Sequence, residues 1–124
     1  MIHQMRLKDD PFFKIWEGKK TIELRLLDEK RQKICVGDTI EFTRLSVGTE
    51  RIVVSVVGIH VFDSFAALYA TLPLDRCGYD QATMKDANPS DMEAYYSVEE
   101  QNRYGVVGIE FDLTERNMSA ESVI

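Results

Sequence analysis

The feature that most constrains the fold is a change of apolar periodicity at Gly18. Apolar residues before Gly18 repeat at helical spacing, whereas those after it alternate with polar residues, as in a half-buried strand. Asp10 and Pro11 suit the N-cap and the first residue of that helix, and Gly18 suits the position after its end. We therefore predict a short helix that leads directly into a strand over residues 21–27.

The polar face of this strand carries Glu23 and Arg25, and Lys20 lies at the bend before it. Lys20 has the wrong parity to share that face, so it reaches Glu23 and Arg25 only through the bend. One interpretation is an exposed face with surface ion pairs, which contribute little to stability. The other is a polar cleft. There Arg25 would recognise an anionic or carbonyl group, Glu23 would accept hydrogen bonds, and Lys20 would supply charge or a base.

The remaining strands predict a mainly β domain with some helix. Strands are expected at 39–45, 51–62 and 105–113, and the middle one is apolar on both faces, as in a central strand. Because the strands at 21–27, 39–45 and 51–62 follow one another along the chain, we expect them to be antiparallel neighbours. The economical fold is a small, largely antiparallel β-barrel with short flanking helices.

Capping residues predict where the later helices begin. Ser64 precedes an apolar repeat at helical spacing, and capping boxes are expected to begin at Ser90 and Ser97. The segment 73–89 lacks clear periodicity and contains several helix breakers. A connection of that length is usually functional or mobile.

Length and composition indicate one domain over residues 1–114, followed by a polar and flexible tail at 115–124. No apolar run is long enough to span a bilayer, and the polar N-terminus does not resemble a signal peptide. Cys35 and Cys77 have no paired spacing. Two reduced thiols in a cytoplasmic protein are the expectation.

Charge is distributed unevenly along this acidic chain, whose net charge is −6. Residues 1–33 carry nine Lys/Arg and six Asp/Glu, a net charge of +3, and residues 34–124 carry six and fifteen, a net charge of −9. An acidic body binds polyanions poorly without a local basic site. If nucleic acid binds, we expect it near residues 18–25.

The pattern Gly18-x-Lys20-x-x-Glu23-x-Arg25 resembles the GxKxxExR signature of the ASCH domain family, whose small β-barrel is related to the PUA domain. The preceding helix, the following glycine turn and the closing strand are also similar to this family, so the resemblance extends over residues 5–113. It implies a PUA-like barrel with a cleft in which the signature residues contact RNA, a nucleoside or a nucleotide.

The resemblance also implies a hydrolase as the alternative. One branch of the superfamily hydrolyses N4-acetylcytidine, with a threonine nucleophile, an activating lysine and a distal glutamate. Lys20 matches the lysine, but Glu23 stands in the threonine's place, so the same amidohydrolase mechanism is not expected. Another member is described as a ribonuclease. Lys20 and Glu23 are therefore the catalytic candidates if the protein is an enzyme.

Aromatic residues near the C-terminal strand form a second candidate set. Tyr95, Tyr96 and Tyr104 either pack the short helices on the barrel or stack on a base, and we select Tyr96 and Tyr104 as ligand-binding candidates. Glu100 could supply a distal acid, but its predicted capping box already accounts for it.

His3 and His60 lack metal-ligand spacing with each other or with the cysteines. We therefore expect neither a metal site nor a cofactor, and no membrane partner. A protein partner for the charged strand face stays open as a third alternative.

Overall fold

The computed structural model describes residues 1–117 and contains one curled, five-stranded sheet. Its strands are β1 (Ile2–Leu7), β2 (Ile22–Leu26), β3 (Thr39–Arg44), β4 (Val47–Phe62) and β5 (Val106–Asn117). They lie in the order β1-β3-β4-β5-β2. The β1–β3 pairing is parallel and the other three pairings are antiparallel. This half-barrel with short flanking helices confirms the predicted mainly β, PUA-like fold.

Short helices cover the sheet. They are α1 (Asp9–Trp16), α2 (Phe65–Thr71), α3 (Gln81–Met84) and α4 (Val98–Tyr104), with 3₁₀ turns at Arg31–Lys33, Leu74–Arg76 and Pro89–Ala94. The predicted irregular segment 73–89 is therefore built largely from short helical turns. Among residues 1–117, no helix has the length and apolar character needed to cross a bilayer.

The predicted strand order is wrong at one place. Strand β2 does not pair with β3 but lies antiparallel to β5, and β1 occupies the position beside β3. The connection between β2 and β3 is too long for a hairpin loop of about two to five residues, so succession along the chain did not imply pairing. Strand β1 was missed because one of its three buried side chains is His3, within an otherwise polar N-terminus.

The predicted start of the first helix is also corrected. Helix α1 begins at Asp9, and Lys8 occupies its N-cap position without a side-chain hydrogen bond. Asp10 and Pro11 consequently lie inside the first turn, where an acidic residue and a proline are still well tolerated. Gly18 follows the helix with φ of 78°, the left-handed conformation that was predicted.

Capping boxes form at three places, at Asp80, Asn88 and Ser97, and only the last was predicted. Ser97 forms its box with Glu100, and Ser64 caps α2 by accepting from the Ala67 amide. The box predicted at Ser90 is instead formed by Asn88 and Asp91. The amide side chain of Asn88 also lies before a proline that starts the turn, which favours it as the N-cap.

Four of the five residues of β2 are buried, and two apolar clusters lie on the sheet. One cluster fills the space between the sheet and α1, where Phe12 and Ile15 pack against Phe42. The second joins β2 to α2 and the 89–94 turn through Leu24 and Phe65. The polar side chains of β2 therefore face a covered space and not open solvent.

Strand β5 is longer than predicted. Its pairing with β4 continues to Asn117, opposite Arg51, so residues 115–117 belong to the sheet. The rest of the predicted tail, residues 118–124, lies outside the described residues. The long pairing with β4 gives the half-barrel its central pair of strands.

Candidate functional site

A buried carboxylate binds two cations at the beginning of β2. Glu23 Oε1 lies 2.7 Å from Lys20 Nζ, and Glu23 Oε2 lies 2.7 Å from Arg25 Nε. Glu23 is 4% exposed and Lys20 is 8% exposed. The interpretation as an exposed surface ion pair is therefore wrong. The structure brings the three charged residues of the signature together in the interior.

The bend after α1 explains how Lys20 reaches Glu23 despite its parity. The positive φ of Gly18 reverses the chain, and the Lys20 amide then donates a 3.0 Å hydrogen bond back to the Lys14 carbonyl. The next amide, that of Thr21, donates to the Arg76 carbonyl at 2.9 Å. These backbone bonds fix the start of β2, so the Lys20 side chain enters from the end of the strand.

Electrostatics keep Glu23 ionised. Burial raises its pKa, but the charges of Lys20 and Arg25 outweigh burial, and the net direction is down. Burial lowers the pKa of Arg25, and the Glu23 carboxylate outweighs it and raises that pKa. A general base works best with a pKa near the operating pH. Glu23 is therefore suited to holding cations and poorly suited to accepting a proton.

Arg25 also joins the two edges of the sheet. Its Nη2 donates a 3.1 Å hydrogen bond to the Arg6 carbonyl, so it connects β2 to β1 across the opening of the half-barrel. Lys30 adds a second bond of this kind, from Nζ to the Gln4 carbonyl at 2.9 Å. We call this pair of contacts the seam.

A cavity of about 360 Å³ lies beside the three charged residues, and we call it the central cleft. Lys20, Glu23 and Arg25 form its inner wall. Five Lys/Arg and two Asp/Glu line it, a local net charge of +3 on a chain of net charge −6. Its volume lies within the range of small-molecule pockets, about 300–1,000 Å³.

Aromatic residues form one side of the cleft. Tyr96 lines it and stacks on Phe65 with ring centroids 6.3 Å apart, which fixes the Tyr96 ring. Tyr95 also lines it, is 62% exposed, and has Lys8 Nζ 5.6 Å from its ring centroid. Two predicted ligand-binding residues lie elsewhere. Gly18 and Tyr104 are not among the residues that line the cleft.

Tyr104 packs in an apolar cluster, and Gly18 ends a helix. Tyr104 packs against the apolar cluster around α2, with the Arg103 guanidinium 5.1 Å from its ring centroid. Gly18 supplies the left-handed residue after α1. Glu100, the distal acid considered above, is occupied by its capping box with Ser97.

One part of the cleft wall was not identified from the sequence. Cys77 and Gly78 line the cleft there, and Lys14 Nζ donates a 2.6 Å hydrogen bond to the Gly78 carbonyl. Burial raises the pKa of the Cys77 thiol to about 12. The only sequence signal was the length of the 73–89 segment, which contains both residues.

The two histidines have carboxylate partners. His3 Nε2 lies 2.8 Å from Asp38 Oδ2, and His60 Nε2 lies 2.9 Å from Glu110 Oε1. Within residues 1–117, no group of three or more His, Cys, Asp or Glu is arranged to hold a metal ion. Both cysteines are free.

A curled sheet with helices over its open side and a charged cleft beneath them defines a PUA-like domain. More narrowly, the ASCH domain family model matches residues 5–115, and the chain belongs to this family. A search of curated proteins found no match.

Solved structures agree with this assignment. The hypothetical protein PH0355 is 32% identical, with a TM-score of 0.74, and the match covers 92% of this chain and 100% of that one. Protein PF0455 from Pyrococcus furiosus is 31% identical, with a TM-score of 0.71 and coverage of 93% and 99%. ASCH from Zymomonas mobilis shares the fold at 12% identity, with a TM-score of 0.64 and coverage of 98% and 76%.

Proposed function

We propose that the protein binds RNA or a nucleotide-like ligand in the central cleft. The observation that carries this proposal is the buried Glu23 carboxylate, which holds Lys20 and Arg25 at the wall of a cavity of ligand size. Burying three charges is costly unless they are paired, and this arrangement keeps one positive charge in excess. An excess cation in a partly dry cavity favours an anionic ligand or a polarised carbonyl group.

Arg25 and Lys20 are the proposed recognition groups. Arg25 uses Nε for Glu23 and one Nη2 hydrogen for the Arg6 carbonyl, and the Tyr96 oxygen is a third partner, so two of its five N–H donors stay available. Lys20 uses one of three donors on Glu23. Fixed donors of this kind suit a phosphate or the carbonyl edge of a base. Tyr96, held by its stack on Phe65, offers an aromatic edge and a hydroxyl to the same ligand.

Binding is favoured over hydrolysis because both Glu23 oxygens are engaged and its pKa is lowered. A carboxylate in that state is a poor acceptor for a proton from water. We expect no acetate release from N4-acetylcytidine and no cleavage of a mixed-sequence RNA. Turnover that disappears in Lys20→Ala would instead establish the hydrolase alternative.

The site assignment is tested by titrating nucleotides and short RNAs against wild type, Arg25→Gln and Arg103→Gln. The control residue Arg103 lies on α4, outside the cleft lining. Hydrogen bonds to charged groups contribute about 1.5–3 kcal/mol, so Arg25→Gln should weaken binding about tenfold or more, and Arg103→Gln should not. Thermal melts establish that both variants are folded. Equal affinity of wild type and a folded Arg25→Gln would overturn the assignment.

A further inference from the structure

Two further cavities adjoin the central cleft. The helix-side cavity, about 590 Å³, shares Lys14, Lys20 and Gly78 with the cleft. The strand-side cavity, about 750 Å³, shares Arg6, Arg25 and Leu45 with it. The three cavities are therefore neighbours, separated only by the side chains that they share, and together they make one surface with the signature residues at its centre. We call this surface the track.

The track gathers most of the positive charge of the chain. Five Lys/Arg line the central cleft, three more line only the helix-side cavity and three more only the strand-side cavity, which makes 11 of the 15 in the chain. Among residues 1–117 only four Asp/Glu line it, two in the cleft and two in the helix-side cavity. The six flanking cations are Lys19, Arg76 and Lys85 on the helix side, and Lys30, Arg31 and Arg44 on the strand side.

Local ion pairs do not neutralise either end of the track. On the helix side Lys19 pairs with Glu17, but within residues 1–117 Arg76 and Lys85 have no carboxylate partner within 4.0 Å. On the strand side, Lys30 bonds only to a backbone carbonyl, although Arg31 and Arg44 do have acidic partners. Both flanking cavities therefore present positive charge to solvent.

From this geometry we propose that the track binds a single strand of nucleic acid, with one nucleotide in the central cleft and neighbouring backbone phosphates in the two flanking cavities. This proposal rests on the proposed function of the cleft. A mononucleotide would fill the centre and leave both flanking groups of cations unused. A strand repeats its negative charge at each nucleotide and can use both ends of the track.

Single strands are favoured over duplexes by the shape of the site. A base enters a cleft of this size only when it is unstacked, and the bases of a single strand are already free to do so. The acidic remainder of the surface repels the rest of the strand. Binding is therefore confined to the track.

The test compares a fluorescent uridine hexanucleotide with uridine monophosphate, using wild type, Lys30→Gln, Lys85→Gln and Lys33→Gln. Lys33 is the control, because it lines none of the three cavities. Lys30→Gln and Lys85→Gln should each weaken hexanucleotide binding several-fold, and each should reduce the slope of log affinity against log salt by about 0.7. Monophosphate binding should stay unchanged in both, and Lys33→Gln should match wild type.

Several outcomes would overturn the proposal. Equal affinity for the hexanucleotide and the monophosphate, or flanking variants without effect, would reject the track and leave the proposed function intact if Arg25→Gln still loses binding. A duplex or polyglutamate that binds as tightly as the hexanucleotide would also reject it. Binding that Arg25→Gln leaves unchanged would reject the proposed function, and the track with it.

Discussion

Lys14 Nζ donates a 2.6 Å hydrogen bond to the Gly78 carbonyl, which joins α1 to a segment 64 positions further along the chain. This contact separates the central cleft from the helix-side cavity, since both residues line both spaces. The central cleft and the helix-side cavity are thus separated by the Lys14 side chain and the Gly78 carbonyl.

Replacing Lys14 with Met removes this hydrogen bond but keeps most of the aliphatic side chain. We expect a loss of about 1.5–3 kcal/mol in the free energy of unfolding, the usual net value of a hydrogen bond that involves a charged group. Amide exchange should become faster around residues 76–80 and stay unchanged in β4 and β5. Lys19→Met, at a residue with an exposed side chain, serves as the control. Unchanged exchange at residues 76–80 would contradict this prediction.

Glu23→Gln should be strongly destabilising, because it leaves Lys20 and Arg25 buried without their carboxylate. Removing one partner of a buried ion pair costs about 3–5 kcal/mol. Urea unfolding of the variant measures this loss. Glu17→Gln removes the partner of Lys19 at the surface, and its effect should stay below about 1 kcal/mol. Similar losses in the two variants would show that Glu23 does not anchor the cations.

Asp38 makes stability depend on pH in the acid range. Its hydrogen bonds with His3 and with the Cys35 amide lower its pKa to about 2. The unfolded value is about 3.9, so between these two values the unfolded chain binds more protons. The contribution of Asp38 is therefore complete above about pH 4 and is lost as the pH falls toward about 2.

Asp38→Asn tests this directly. The difference in unfolding midpoint between wild type and the variant should be largest above about pH 4 and should shrink as the pH approaches about 2. Asp63→Asn is a suitable control, because Asp63 takes part in none of the hydrogen bonds that hold β1 to β3. A difference that stays constant over this range would contradict the assignment.

Two free cysteines should react with a thiol reagent at very different rates. Cys35 is exposed, whereas Cys77 is buried in the cleft wall and its pKa is raised to about 12. The thiolate is the reactive form, and at pH 8 only about one Cys77 in ten thousand would carry it. Cys35→Ser should leave only the slow phase of labelling, and Cys77→Ser should remove that phase. Two equal rates would be inconsistent with the buried position of Cys77.

The periodicity of apolar residues was sufficient to predict β2, β3, β4 and β5, and helix α1 with its terminal glycine. It was not sufficient to predict strand order, because order depends on which distant edges meet. Residue parity also could not place Lys20. The left-handed conformation of Gly18 turns the chain just before β2, so the Lys20 side chain approaches Glu23 from the end of the strand. The charged residues of the signature were found because they lie close together in the chain.

Other parts of the site carry no local signal. Arg6, Cys77 and Gly78 reach the central cleft only through the tertiary fold, from β1 and from the segment after α2. Tyr104 was selected because it is an aromatic residue next to Tyr95 and Tyr96 in the predicted helices. The direction of its side chain depends on the packing of α4, which a sequence pattern does not give.

The seam has a consequence for behaviour at high protein concentration. Strands β1 and β2 are the two edges of the sheet, and an exposed edge with free carbonyls can recruit a strand from another molecule. Here the Gln4 and Arg6 carbonyls already accept hydrogen bonds from Lys30 and Arg25. A second molecule that adds a strand at this edge would have to displace two cations first. The same side chains that line the track therefore also protect the sheet against edge-to-edge aggregation.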